Sequence, residues 1–105
     1  MEYDDIVSML EEMGIPVAYW CFSEDDVPQL PFLVFSIPED SAFYADGKKY
    51  LKKYKLYIEL YVEEKNIELE QKLENILQQH GISAERQEQY LQDEKMFVEV
   101  YSTEV

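Results

Sequence analysis

The sequence predicts an α+β fold: two helices packed on one face of a mainly antiparallel sheet of about five strands. Three observations carry this. Residues 50–62 alternate, with Tyr54, Leu56, Ile58, Leu60 and Val62 on one side and Lys53, Lys55, Tyr57, Glu59 and Tyr61 on the other. Period two with one apolar face is a half-buried strand. Residues 66–80 instead place Leu69, Leu73, Ile76 and Leu77 at helical spacing, between Asn66 as N-cap and Gly81 as the residue that ends the helix. The chain is one domain, 1–105, with 47% hydrophobic residues and only three glycines, which favours a folded core over disorder.

The elements follow in order α-β-β-β-α-β-β. Residues 4–13 form a short amphipathic helix with Ile6, Leu10 and Met13 on one face and Val7 and Met9 at its borders. Asp4 and Asp5 suit its N-terminal dipole, and Gly14 and Pro16 stop it. Residues 17–22, VAYWCF, read as a strand, and 23–31, acidic with two prolines, as a loop. Residues 32–37 are a buried strand that pairs with 50–62 in a long protruding hairpin. Residues 39–49 are polar, contain Asp46-Gly47 and lack periodicity, so they predict a mobile tip. A strand over 50–62 would span roughly 43 Å at about 3.3 Å per residue, long enough to overshoot its own sheet. Residues 82–91 and 95–103 read as two more strands around a 92–94 turn. The last has apolar residues on both faces and should be central or covered on both sides. The helix over 66–80 looks like a crossover, which allows one parallel pair.

Charge limits the function. Twenty-three acidic residues against nine basic ones give a net charge of -14, which repels nucleic acid and anionic lipid. No apolar run reaches membrane-spanning length, and the acidic start MEYDDIV lacks the features of a secretion signal. The single cysteine, Cys21, cannot form an internal disulfide, which fits a reducing compartment, and its aromatic neighbours predict a small buried hydrophobe.

No glycine-rich phosphate loop, Cys/His metal cluster, nucleophile elbow or other convergent polar set is visible, so catalytic, cofactor and metal residues are all expected to be absent. His80, the only histidine, reads as a structural residue on the apolar face of its helix, where a cation suits the dipole. The run Glu24-Asp25-Asp26 lacks the spacing of a calcium loop and reads as solvated.

The informative residues are those of an interface. Lys48, Lys49, Lys52, Lys53 and Lys55 place five of the nine cations in eight positions. Such lysines either guard a strand edge or dock on an acidic neighbour, another copy of the chain included. Four of the nine tyrosines lie in 50–62. Tyr57 and Tyr61, opposite the apolar face, join Phe43 and Tyr44 as candidate contact residues.

Taken in order, the segments PVAYWCF (16–22), PQLPFLVF (28–35), FYADGKKY (43–50), YIELYVEEKNIELEQKLENIL (57–77) and the ending ERQEQYLQDEKMFVEVYSTEV (85–105) suggest a relationship. The chain resembles small tail-completion, head–tail joining proteins of siphophages and prophages of Gram-positive bacteria, which are related in shape to tail terminators. The resemblance covers nearly everything from Gly14 onward and rests on the order and spacing of the segments. It implies a non-enzymatic structural protein of the virion tail, assembled in the bacterial host cytoplasm. It also implies a self-associating ring, of six subunits, that caps the tail tube protein and meets the head-connector proteins; with a net charge of -14 per subunit, the alternative is a free chain that stays monomeric until a tail end templates the ring. DNA would pass through without sequence-specific binding. A different class stays open: an acidic DNA mimic that inhibits a nucleic-acid-binding enzyme.

Overall fold

The computed structural model describes residues 1–45 and 48–105, with side chains for 1–40 and 53–105. Its elements are α1 (Tyr3–Glu11), β1 (Val17–Tyr19), β2 (Phe32–Ala45), β3 (Lys48–Val62), α2 (Ile67–Gln79), β4 (Glu85–Leu91) and β5 (Met96–Glu104). The five strands form one mixed sheet in the order β1-β2-β3-β5-β4. The parallel pair is β1 with β2, and the other pairs are antiparallel. The α+β class and element order are those the periodicities predict. The crossover is also present: α2 links β3 to β4, parallel strands with β5 between them. The adjacent parallel pair is joined instead by the loop over 20–31.

Both helices are set by local chemistry. The Glu2 backbone N–H donates to Asp5 Oδ2 (3.0 Å) at the start of α1, and Gly14 follows its end at φ +73°. At α2, Asn66 Oδ1 accepts from the Leu69 N–H (3.0 Å), satisfying a donor the helix itself leaves free. At its other end the Gly81 N–H donates to the Gln78 carbonyl and the Ile82 N–H to the Leu77 carbonyl, with Gly81 at φ +74°. This is the paired closure that needs a left-handed residue after the helix, a conformation glycine adopts freely. Lys72 Nζ then donates to the Met13 carbonyl (3.0 Å), holding α2 against the end of α1.

The core lies between the helices and one face of the sheet. Ile6, Met9 and Leu10 of α1 and Leu73, Ile76 and Leu77 of α2 pack on Leu33, Phe35, Leu56, Ile58, Leu60 and Tyr101. Leu73 and the three β3 residues are fully buried, as the two periodicities predict. β5 lies between β3 and β4 and is buried on both sides, at Tyr101 toward the helices and at Val98 on the far face.

Three expectations change. The strand expected over 17–22 stops at Tyr19. The Trp20 N–H donates to the Phe35 carbonyl (2.7 Å), and the chain then turns sharply, with Trp20 at φ +70° and the Cys21 N–H on the Tyr19 carbonyl (2.8 Å). This γ-turn ejects the next residues from the sheet, so Cys21 is exposed rather than buried. His80 is likewise not on the apolar face; it caps α2 in solvent, 2.9 Å from Glu12 Oε2. The tip expected over 39–49 is narrower, because β2 runs to Ala45 and β3 starts at Lys48, in register except for irregularities after Ser36 and Phe43. Backbone pairing overrides the weak periodicity there. Asp46 and Gly47, between the strands, lie outside the described residues.

Candidate protein–protein interface

Two features of the fold are candidates for function. The first is the hairpin. β5 accompanies β3 only from Val62 to Lys55, and the Tyr54 and Val105 backbones close the edge with a reciprocal pair at 2.7 and 2.9 Å. β1 accompanies β2 only at Leu33 to Phe35. Beyond these positions, among the described residues, β2 and β3 pair only with each other. A two-stranded arm therefore leaves the sheet, and the molecule measures 50 × 28 × 24 Å. The overshoot expected from strand length is present. Phe43, Tyr44, Lys48, Lys49 and Lys52 are all on this arm, but their side chains lie outside the described residues. Lys53 is exposed at its base. Lys55 is paired within the chain to Glu39 (3.1 Å), and that contact raises the lysine pKa.

The second feature is the sheet face opposite the helices. Alternation sends Phe32 and Val34 of β2, Tyr57, Glu59 and Tyr61 of β3, and Met96 and Val98 of β5 to this side. Among the described residues no helix covers it. Aromatic contacts replace one: Phe22 packs edge-on against Phe32 (ring centroids 5.1 Å apart), and Phe32 against Tyr61 (5.2 Å). The Tyr61 hydroxyl donates to Glu59 Oε2 (2.7 Å). Burial, reinforced by that carboxylate, raises the Tyr61 pKa well above the ordinary phenol. Tyr57 is half-buried at the base of the arm, beside Ser102 and Glu85. The two tyrosines thus share one face, as alternation requires, but Tyr61 is already partnered while Tyr57 borders an open depression.

At the end of this face farthest from the arm is an apolar groove of about 300 Å³, lined by Trp20, Phe22, Val27, Phe32, Leu91 and Met96 among others. Trp20 is 62% and Val27 58% exposed. The acidic residues Glu24, Asp25 and Asp26 form a single 3-10 turn that precedes Val27 in the chain, and Glu94 is among the lining residues. Sequence reasoning missed this groove, because VAYWCF looks like a continuous buried strand until the turn at Trp20 is known.

Sequence reasoning also missed a polar cluster under α2, and the expectation of no convergent polar set is corrected. Lys65 Nζ lies 2.9 Å from Glu70 Oε2, 2.5 Å from Glu88 Oε1 and 3.5 Å from Glu99 Oε1, and Arg86 pairs closely with Glu99. Glu99 is fully buried. Burial, then its neighbours Glu88 and Glu70, raises its pKa despite Arg86, while Lys65 lowers that of Glu88. The Glu70, Glu88 and Glu99 carboxylates converge within 4.8 Å. That is a spacing a cation can bridge, and the Lys65 ammonium fills the place. Two cations answer three carboxylates, so the cluster reads as an ion-pair network that locks α2 to β4 and β5. Its signal was in the sequence: Glu99 alternates with Phe97 and Tyr101 on a buried face. The Tyr101 hydroxyl, also held protonated by burial, donates to Glu74 Oε2 (3.0 Å).

No helix among the described residues is long and apolar enough to cross a membrane. Neither a protein-family model nor a curated protein sequence matches the chain.

Proposed function

We propose that the chain is a structural subunit that works by self-association, a ring-forming tail-completion protein of the tail-terminator type that joins a phage tail tube to its head connector. The arm carries this reading: a two-stranded extension with no further neighbour in its own sheet among the described residues, bearing four of the chain's nine cations, Lys48, Lys49, Lys52 and Lys53, on an otherwise acidic molecule. A paired but unaccompanied ribbon gains little from its own subunit, since an isolated hairpin is marginal in water. Contact with another chain gives it a reason to be retained.

The charge fits the same role. A ring through which DNA passes must not hold it, and a lumen of carboxylates offers the phosphate backbone no counter-charge. Basic residues then belong at the joints between subunits, where they meet carboxylates. The site of action is the host cytoplasm during assembly and afterwards the virion tail. No chemistry is assigned to the ion-pair network.

Absolute mass by light scattering, across concentration and salt, tests the reading together with completion of purified tails in vitro. The expected result is a closed oligomer, six subunits in the tail-terminator case, that converts open tails to head-competent ones. A chain that stays monomeric under all conditions and leaves tails unchanged would overturn it. The net charge of -14 favours one other reading, a DNA mimic. A monomer that competes with DNA for a nuclease or restriction enzyme would establish that instead.

A further inference from the structure

We infer that the apolar groove at Trp20–Val27 is the receptor for the basic hairpin arm of a second copy of this chain. The inference rests on the self-assembly reading above and names the surface that completes it. The partner segment is chosen by three observations.

The first is charge. The groove is lined mainly by apolar residues, with the carboxylate of Glu94 among them, and the exposed acidic turn Glu24-Asp25-Asp26 immediately precedes its lining residue Val27. A cationic segment with aromatic side chains complements both parts. Only one stretch of the sequence has that composition: the arm, with Phe43 and Tyr44 next to Lys48 and Lys49. Exposed apolar patches rimmed by polar residues mark interaction sites, and complementary charge selects the partner and its orientation.

The second is position. Groove and arm lie at opposite ends of the same β2–β3 ladder. Phe32, in the groove wall, and Phe43, on the arm, are separated by roughly 35 Å of strand at about 3.3 Å per residue. A chain cannot place its arm in its own groove, so the contact has to be made between molecules. Each subunit then has one arm to give and one groove to offer. This is a heterologous contact, which closes into a ring or grows into a filament according to the rotation it imposes.

The third is the way the groove is built. Trp20 stands at its edge on a positive-φ γ-turn, a conformation that costs a bulky residue energy and leaves its indole in solvent. Burial under a partner's aromatic and aliphatic groups recovers apolar contact that the isolated subunit lacks.

Cys21, exposed and in the groove wall, supplies a probe already in place. An Ala45→Cys chain, which carries its second thiol on the arm and keeps Phe43 and Tyr44, is treated with a short bis-maleimide. Because one thiol sits in the groove and one on the arm, a head-to-tail assembly gives a ladder of dimers, trimers and higher species. A Glu11→Cys chain, with its second thiol on exposed α1, sets the level of random collision. The ladder is expected to exceed that control at least tenfold. Val27→Asp, which changes an exposed side chain, should lower it at least tenfold without altering the melting temperature. Lys48→Glu with Lys49→Glu should lower it too, and adding Asp25→Lys with Asp26→Lys should restore it. A ladder no stronger than the control, one that survives Val27→Asp, or charge reversal without rescue would each overturn the inference. Light scattering on the wild-type chain separates the two proposals. A closed oligomer without the ladder removes the arm-in-groove contact and leaves the ring reading standing, whereas a chain that is monomeric at every concentration and salt and also leaves open tails unchanged removes both.

Discussion

The two faces of the sheet use the same strands and meet opposite conditions. On the helix side, Leu56, Ile58 and Leu60 are covered by α1 and α2 and fully buried. On the far side, the intervening Tyr57, Glu59 and Tyr61 have no helix above them among the described residues, and the Phe22–Phe32–Tyr61 aromatic row shelters part of that surface. One face spends its apolar residues on folding. The other holds amphipathic residues that tolerate water and can still be buried, the composition of a surface that awaits a partner. If the proposed self-association uses the open face, stability and assembly reside on opposite sides of one layer and should separate under mutation.

The largest expected break is on the helix face. Leu73 is fully buried between α2 and β3, and Leu73→Ala should cost about 2–5 kcal/mol by lost transfer energy plus a cavity. Denaturant unfolding measures it. A cost below about 1 kcal/mol would mean that the core does not depend on this contact.

Next is the ion-pair network on the same side. Arg86→Met leaves buried Glu99 without its closest cation. Losing one partner of a buried pair costs about 3–5 kcal/mol, and Arg86's own exposure discounts this to about 2 kcal/mol at pH 7. The sign of the pH dependence follows from the raised Glu99 pKa. The folded state binds that proton more tightly than the unfolded chain, so this residue's contribution is complete at low pH and is lost as pH rises through the carboxylate range. Removing Arg86 raises the Glu99 pKa further, so the variant's deficit should shrink on acidification from pH 7 to pH 5. A deficit that stays constant or grows would show that Glu99 does not take up the proton.

A smaller effect belongs to Asn66, whose side chain caps α2. Asn66→Ala should cost about 1 kcal/mol and should leave the groove and arm unaffected, as read by the cross-linking yield. Equal losses of stability and cross-linking would mean that the two faces are coupled.

How far this division was legible depends on the face. Strict alternation in β3 and helical spacing in α2 named the core residues, because periodicity reports which side of an element meets other apolar groups. Asn66 and Gly81 marked the ends of α2 for the same local reason. The groove was hidden because it depends on one backbone torsion at Trp20, which turns an apolar run out of the sheet. The ion-pair network was hidden because Lys65, Glu70, Arg86, Glu88 and Glu99 meet only through the β4–β5–β3 register and the crossing of α2. The arm was visible as surplus strand length and clustered lysines, although weak alternation in 39–49 suggested a loop where backbone pairing continues.

The smallest expected effect sharpens the description of the open face. Tyr61→Phe removes one hydroxyl, whose hydrogen bond to Glu59 is near the surface. Water can take over at Glu59, so the loss should be about 0.5–1 kcal/mol at pH 7, and the Phe32 ring contact should survive. The informative reading is at high pH. Burial under the aromatic row, then the Glu59 carboxylate, holds the folded-state Tyr61 pKa above that of a free phenol. The folded chain therefore keeps a proton that the unfolded chain releases. This residue's contribution is intact below about pH 10 and falls as pH rises beyond it. In the Phe variant that decline disappears, so wild type and variant should converge in stability as pH rises, with ultraviolet titration showing one late-ionising tyrosine fewer. If the wild-type residue ionises with the exposed tyrosines, the aromatic row does not shield this face. If it ionises late, even this face keeps a dry strip at Tyr61, and the wetter surface at Tyr57 and the exposed wall at Trp20 are where the proposed assembly would gain most by covering it.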